Sequence, residues 1–102
     1  MNRFDRIRDA VVPALKPYGL KRVAVFGSYA RGEDRADSDI DVLITLEEPR
    51  RKPFGYFALV QVEEVLSETL GWKVDLVTDS GLSRYVRPHV ERDMVVVYEA
   101  EP

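Results

Sequence analysis

Gly27-Ser28-Tyr29-Ala30-Arg31-Gly32, the polar segment Glu33-Asp34-Arg35-Ala36-Asp37, and Ser38-Asp39-Ile40-Asp41-Val42-Leu43-Ile44-Thr45-Leu46 form the stretch on which the reading of the chain turns. Ile40 to Leu46 is apolar at nearly every position, the pattern of a strand buried on both faces, and Asp41 is the acidic exception inside it. A carboxylate in such a strand is expensive unless it meets a cation or a buried partner, for which Arg31 is a candidate. Asp39 stands two residues earlier, so at the rise of a strand the two Cα atoms lie about 6.6 Å apart and both side chains leave the same face. Two carboxylates this close repel unless one is protonated or a cation lies between them, and Mg²⁺ is the hard, oxygen-ligated ion that suits such a pair together with a nucleotide. Gly27 has no β-carbon to block a close approach, and Ser28 offers a hydroxyl and a backbone N–H, which makes this turn a candidate phosphate cradle. The GxxxxGK[ST] and GxGxxG patterns are both absent, which sets aside the Walker and dinucleotide-binding loops.

Working outward, Phe4, Ile7, Val11 and Leu15 recur at helical spacing behind Asn2 as a cap, so a first helix should end near Pro17 and Gly19, with Pro13 kinking or dividing it. Arg22 to Phe26 reads as a strand, and Ser28 to Arg31 as one helical turn closed by Gly32. From Phe54 to Leu70, the positions Leu59, Val62, Val65, Leu66 and Leu70 make a broad apolar stripe that Gly71 terminates. Trp72 to Val77 is a third strand with Asp75 in its middle, a last helix divided by Pro88 should run from about Leu82 to Arg92, and Met94 to Tyr98 should close the sheet. This order predicts an α+β fold, a small mixed β-sheet with helices packed on it. If the third strand lies beside the second, Asp75 reaches the same face as Asp41 and becomes the third carboxylate, enough for two ions.

The 102 residues, 45% hydrophobic and 32% charged, fit a single domain over 1–102. Fifteen Lys and Arg against eighteen Asp and Glu leave a formal charge of −3, which argues against direct nucleic-acid binding by bulk phosphate neutralisation. With no cysteine there is no disulfide framework and no thiolate metal site, and His89, the only histidine, has no partners for a hydrolytic triad or a zinc site. The charged start Met1-Asn2-Arg3-Phe4-Asp5-Arg6 and the lack of a long apolar run predict a cytoplasmic protein without a membrane segment. Tyr29, Trp72 and Tyr85 are expected to pack or to rim the site, and Arg50-Arg51-Lys52 to form a solvated loop.

Gly27-Ser28-x-Ala30-Arg31-Gly32 followed by Ser38-Asp39-x-Asp41 resembles the signature of the DNA polymerase β-like nucleotidyltransferase superfamily. The short chain further resembles its minimal nucleotidyltransferase branch, the antitoxin partners of HEPN-domain ribonuclease toxins. The resemblance implies a polymerase β palm-like nucleotidyltransferase fold and Mg²⁺-dependent transfer of AMP from ATP to a hydroxyl of a HEPN toxin, a tyrosine in particular. It also implies that Gly27, Ser28, Arg31 and Ser38 serve the nucleotide, that Asp39, Asp41 and Asp75 hold two Mg²⁺ ions, and that Asp75 helps activate the attacking hydroxyl. Arg31 reads equally as a structural brace. The shortness of the chain favours an acceptor that brings its own binding surface, hence a hetero-oligomer with the toxin. The alternative is a non-catalytic antitoxin that neutralises the same partner by covering it.

Overall fold

The computed structural model describes residues 2–101; Met1 and Pro102, the two ends of the expected domain, lie outside the described residues. Asn2 caps the first helix, α1 (Arg3–Leu15), its side chain accepting from the Phe4 amide while Asp5 reaches back to the Asn2 amide. Pro13 does not divide this helix. It lies on the exposed side, where the carbonyl it leaves without a helical donor is open to water. A short 3₁₀ turn over Lys16–Tyr18 and Gly19 at φ +86° bring the chain into β1 (Leu20–Phe26), two residues earlier than the apolar run suggests.

The one-turn helix α2 (Gly27–Arg31) follows at once and ends on Gly32 in the left-handed region. After the polar loop come β2 (Ile40–Leu46), α3 (Tyr56–Leu70), β3 (Val74–Thr78), α4 (Arg87–Asp93) and β4 (Val95–Glu99). Pro88 lies in the first turn of α4 rather than dividing a longer helix, consistent with the tolerance of a helix's first turn for proline. Trp72 lies before β3, and Phe54 before α3, where it packs edge-on against Tyr18.

The sheet is mixed, in the order β3-β2-β1-β4. β1 runs antiparallel to both β2 and β4, while β2 and β3 are parallel and joined through α3. One face carries the main core: Val23, Val25, Ile40, Val42, Ile44, Val74 and Leu76 from the strands against Ile7, Val11 and Leu15 of α1 and Val62, Leu66 and Leu70 of α3. Val65, expected in that stripe, is 51% exposed, because the buried row of α3 follows the i, i+4 spacing and leaves Val65 off its flank.

The opposite face has a much smaller cluster, Ala24 and Leu43 under Val90 of α4, with Phe26, Val77, Leu82 and Met94 beside it. Since side chains alternate along a strand, Asp41 falls on this second face together with Leu43, and Asp75 with Val77. The site residues therefore sit where the sheet is thinly covered. No helix among the described residues is long and apolar enough to cross a membrane.

Candidate active site

Gly27, the first residue after β1, stands at φ +74°, and a β-carbon built on it would collide with Asp41 Oδ2. Both facts require glycine here, the first by backbone sterics and the second by space. The register places Phe26 opposite Asp41, so the turn into α2 folds directly over the start of β2. From the sequence, the open space at Gly27 is expected to admit a phosphate. In the structure it is first of all the space of the Asp41 carboxylate.

On the other side of β2, the parallel register sets Asp75 against Asp41. Burial, then the charges of Asp75 and Asp39, raise the Asp41 carboxyl from 3.8 to about 6, with the charge of Arg31 acting in the opposite direction. Asp41 is partly buried, Asp75 exposed and Asp39 between the two. Asp39 Oδ2 lies 3.7 Å from Lys73 Nζ, a partner that sequence reasoning missed. The signal was available: Lys73 precedes Asp75 by two, as Asp39 precedes Asp41, so strand periodicity puts both pairs on one face.

Among the described residues, no three His, Cys, Asp or Glu side chains are drawn together as a ready metal cluster. The donor set nevertheless suits a divalent cation. Asp39 and Asp41 stand two apart where β2 begins and Asp75 is in register with Asp41 on β3; after burial, the charges of Asp75 and Asp39 raise Asp41, and that repulsion is what a hard cation relieves.

Ser28 is half-buried in the turn, adjacent to Gly27, and its carbonyl accepts from the Glu33 amide. Ser38 closes the polar loop: its hydroxyl accepts from the Arg35 amide at 2.8 Å and its amide donates back to the Arg35 carbonyl at 3.0 Å. The Trp72 indole N–H donates to the Ser38 carbonyl, fixing the residue just before Asp39 against the β3 side. Arg31 does not pair with Asp41. Its guanidinium bridges Glu33 at 3.1 Å and Asp93 at 3.3 Å, bracing α2 against α4.

Tyr29 is buried between Phe4 and Trp72 with its hydroxyl on the Arg3 carbonyl, so it belongs to the core rather than to the rim. Tyr85 is exposed on the segment leading to α4. A concavity of about 520 Å³ opens beside Asp39, lined also by Ser38, Trp72 and Lys73 but by neither Asp41 nor Asp75. A larger one, about 920 Å³, lies at the far end of the sheet around Arg22, Thr45 and Ser80 and contains none of the motif residues.

The model of the nucleotidyltransferase domain family matches residues 5–99. Protein adenylyltransferase MntA of Thermococcus cleftensis is 41% identical over 81 residues, 78% of this chain and 77% of that protein. A solved structure provisionally described as a minimal nucleotidyltransferase superposes with a TM-score of 0.71 at 37% identity, covering 90% of each chain. The fold is shared more distantly with a chain of the complex between a tri-AMPylated Shewanella oneidensis HEPN toxin and its MNT antitoxin, at a TM-score of 0.69 and 19% identity over 94% of this chain and 69% of that one. With the glycine turn, the paired carboxylates and the mixed sheet all in place, the chain belongs to the nucleotidyltransferase domain family, in its minimal nucleotidyltransferase branch.

Proposed function

We propose that this nucleotidyltransferase moves AMP from ATP onto a hydroxyl, in particular a tyrosine hydroxyl, of a HEPN-domain ribonuclease toxin and thereby acts as its antitoxin. The observation that carries the reading is the fit of Gly27 against the Asp41 carboxylate, with Asp75 in register beside it on the thinly covered face of the sheet. The Thermococcus relative's adenylyltransferase name and the AMPylated toxin bound to the Shewanella antitoxin support the same acceptor class. A cytoplasmic location, one domain over 1–102 and a complex with the toxin belong to this proposal.

Asp39, Asp41 and Asp75 would hold Mg²⁺, two ions for three carboxylates. Bound there, Mg²⁺ would supply charge neutralisation at the α-phosphate and at the attacking and leaving oxygens. Gly27 and Ser28 would hold the triphosphate through the turn's amides and the Ser28 hydroxyl. Ser38 would fix the loop that presents Asp39, and Arg31 would act on the site at a distance, its positive charge favouring ionised Asp41. Asp75, which is exposed, would accept the acceptor's proton. The acceptor oxygen bonds to the α-phosphorus, the bond from that phosphorus to the bridging oxygen breaks, and pyrophosphate leaves; no covalent enzyme intermediate is needed.

The test is transfer of label from α-labelled and, separately, γ-labelled ATP with Mg²⁺ to a HEPN partner. Stable α-label, no γ-label and loss of transfer in Asp39→Ala are expected. A stable complex with no label from either nucleotide favours the occluding antitoxin instead.

A further inference from the structure

One cation of the candidate site, Lys73, stands beside Asp39. Stepping back two residues on each strand from the Asp41–Asp75 register pair leads to Asp39 and Lys73, and the Lys73 carbonyl accepts from the Ile40 amide at 2.8 Å, which locks that alignment. The Lys73 ammonium lies 3.7 Å from Asp39, at the border of the same concavity that Ser38 and Trp72 line. Its side chain is 76% exposed and the pair is long, so the contact is weak and Lys73 can leave Asp39 at little cost. Arg31, the other cation acting on this site, is already engaged by Glu33 and Asp93.

We propose that Lys73 is a nucleotide-binding residue: it neutralises Asp39 in the unliganded protein and passes its ammonium to the triphosphate oxygens when Asp39 takes up the divalent cation that accompanies the nucleotide. This rests on the nucleotidyl-transfer reading above. Asp39 cannot serve a divalent ion and keep the ammonium equally close, because the two cations repel. The nucleotide brings new negative charge within reach of a flexible four-carbon stem carrying a compact charge. Lys73 therefore opposes a bare cation and favours the nucleotide, two effects of opposite sign that a residue serving only to hold the fold would not produce.

Lys73→Met keeps most of the stem and removes the charge, while Lys73→Arg retains the charge. Binding of Mn²⁺ to the nucleotide-free protein is read from the free-ion paramagnetic signal, and binding of a non-hydrolysable ATP analogue with Mg²⁺ is read by equilibrium dialysis. Lys73→Met should bind Mn²⁺ several-fold more tightly and the analogue about tenfold more weakly, the loss of one charge-assisted contact. Lys73→Arg should restore the analogue. Unchanged constants, or constants that move in the same direction, overturn the role of Lys73 while the wild-type values leave the nucleotidyl-transfer reading standing. A wild-type protein that binds neither Mn²⁺ nor the analogue overturns both.

Discussion

The backbone of Gly27 comes so close to the Asp41 carboxylate that a side chain added at Gly27 must displace it. In Gly27→Ala, a methyl group must displace Asp41 Oδ2, and an alanine must occupy the left-handed region, at a cost of about 1–2 kcal/mol. Gly32 provides the control: its φ is +76°, yet nothing lies within 4 Å of an added β-carbon. Gly32→Ala should lose only the backbone cost in urea and Gly27→Ala more than that, and Gly27→Ala alone should lose nucleotidyl transfer, by about a hundredfold for an ångström-scale misplacement of the carboxylate. Equal activities in the two variants would contradict this.

Asp41 also sets a pH dependence. Its carboxyl is held at about 6 when folded against an ordinary 3.8, so between those values the folded protein keeps a proton that the unfolded chain has released. Its contribution therefore opposes folding fully above about pH 6, and the penalty disappears as pH falls toward 4. In chelator-containing buffer, Asp41→Asn should melt above wild type at pH 8, with the gap narrowing at pH 5. A gap independent of pH would show that Asp41 does not titrate in this way. The site is thus held at the expense of stability, as functional carboxylates often are.

At the scale of elements, β2, the glycine turn and the long helix α3 follow from sequence pattern, because each is bounded by residues whose physics is local: Gly27 and Gly32 by positive φ, Gly71 by helix termination, Ile40 to Leu46 by an unbroken apolar run. What was not visible depended on tertiary partners. Tyr29 sits inside the polar motif but is drawn inward by Phe4 and Trp72, and Trp72 looks like the start of a strand yet spends its indole N–H on Ser38. Arg31 was equally readable as a brace or as a ligand, and only the approach of α4 brings Asp93 to it. Pro13 predicts a kink or a division of α1; the helix is not divided, because the proline takes an exposed position within an otherwise well-capped helix. Pro13→Ala should restore the missing backbone bond and stabilise the fold by about 1–3 kcal/mol, after the lost rigidity of the unfolded chain is offset. Urea denaturation checks it, and a loss of stability would mean that proline is needed where it stands.

For the molecule as a whole, the sheet separates two duties. The face under α1 and α3 carries most of the apolar burial, while the face under α4 carries a small cluster and the carboxylates. That division leaves Asp41 and Asp75 on the thinly covered face, the face on which the proposed acceptor would dock, and it lets them carry unfavourable charge without endangering the core. The net charge of −3 is consistent with an acceptor of opposite balance, which affects the rate of association rather than identity.

The most direct measurement is the intact mass of a HEPN partner after incubation with ATP and Mg²⁺, using wild type and Asp41→Asn. The account predicts that wild type adds one or more adenylates to the partner and that Asp41→Asn, folded and still bound to it, adds none. A partner left unmodified by the wild-type protein, or modified equally by the variant, would contradict the assignment of chemistry to this carboxylate edge.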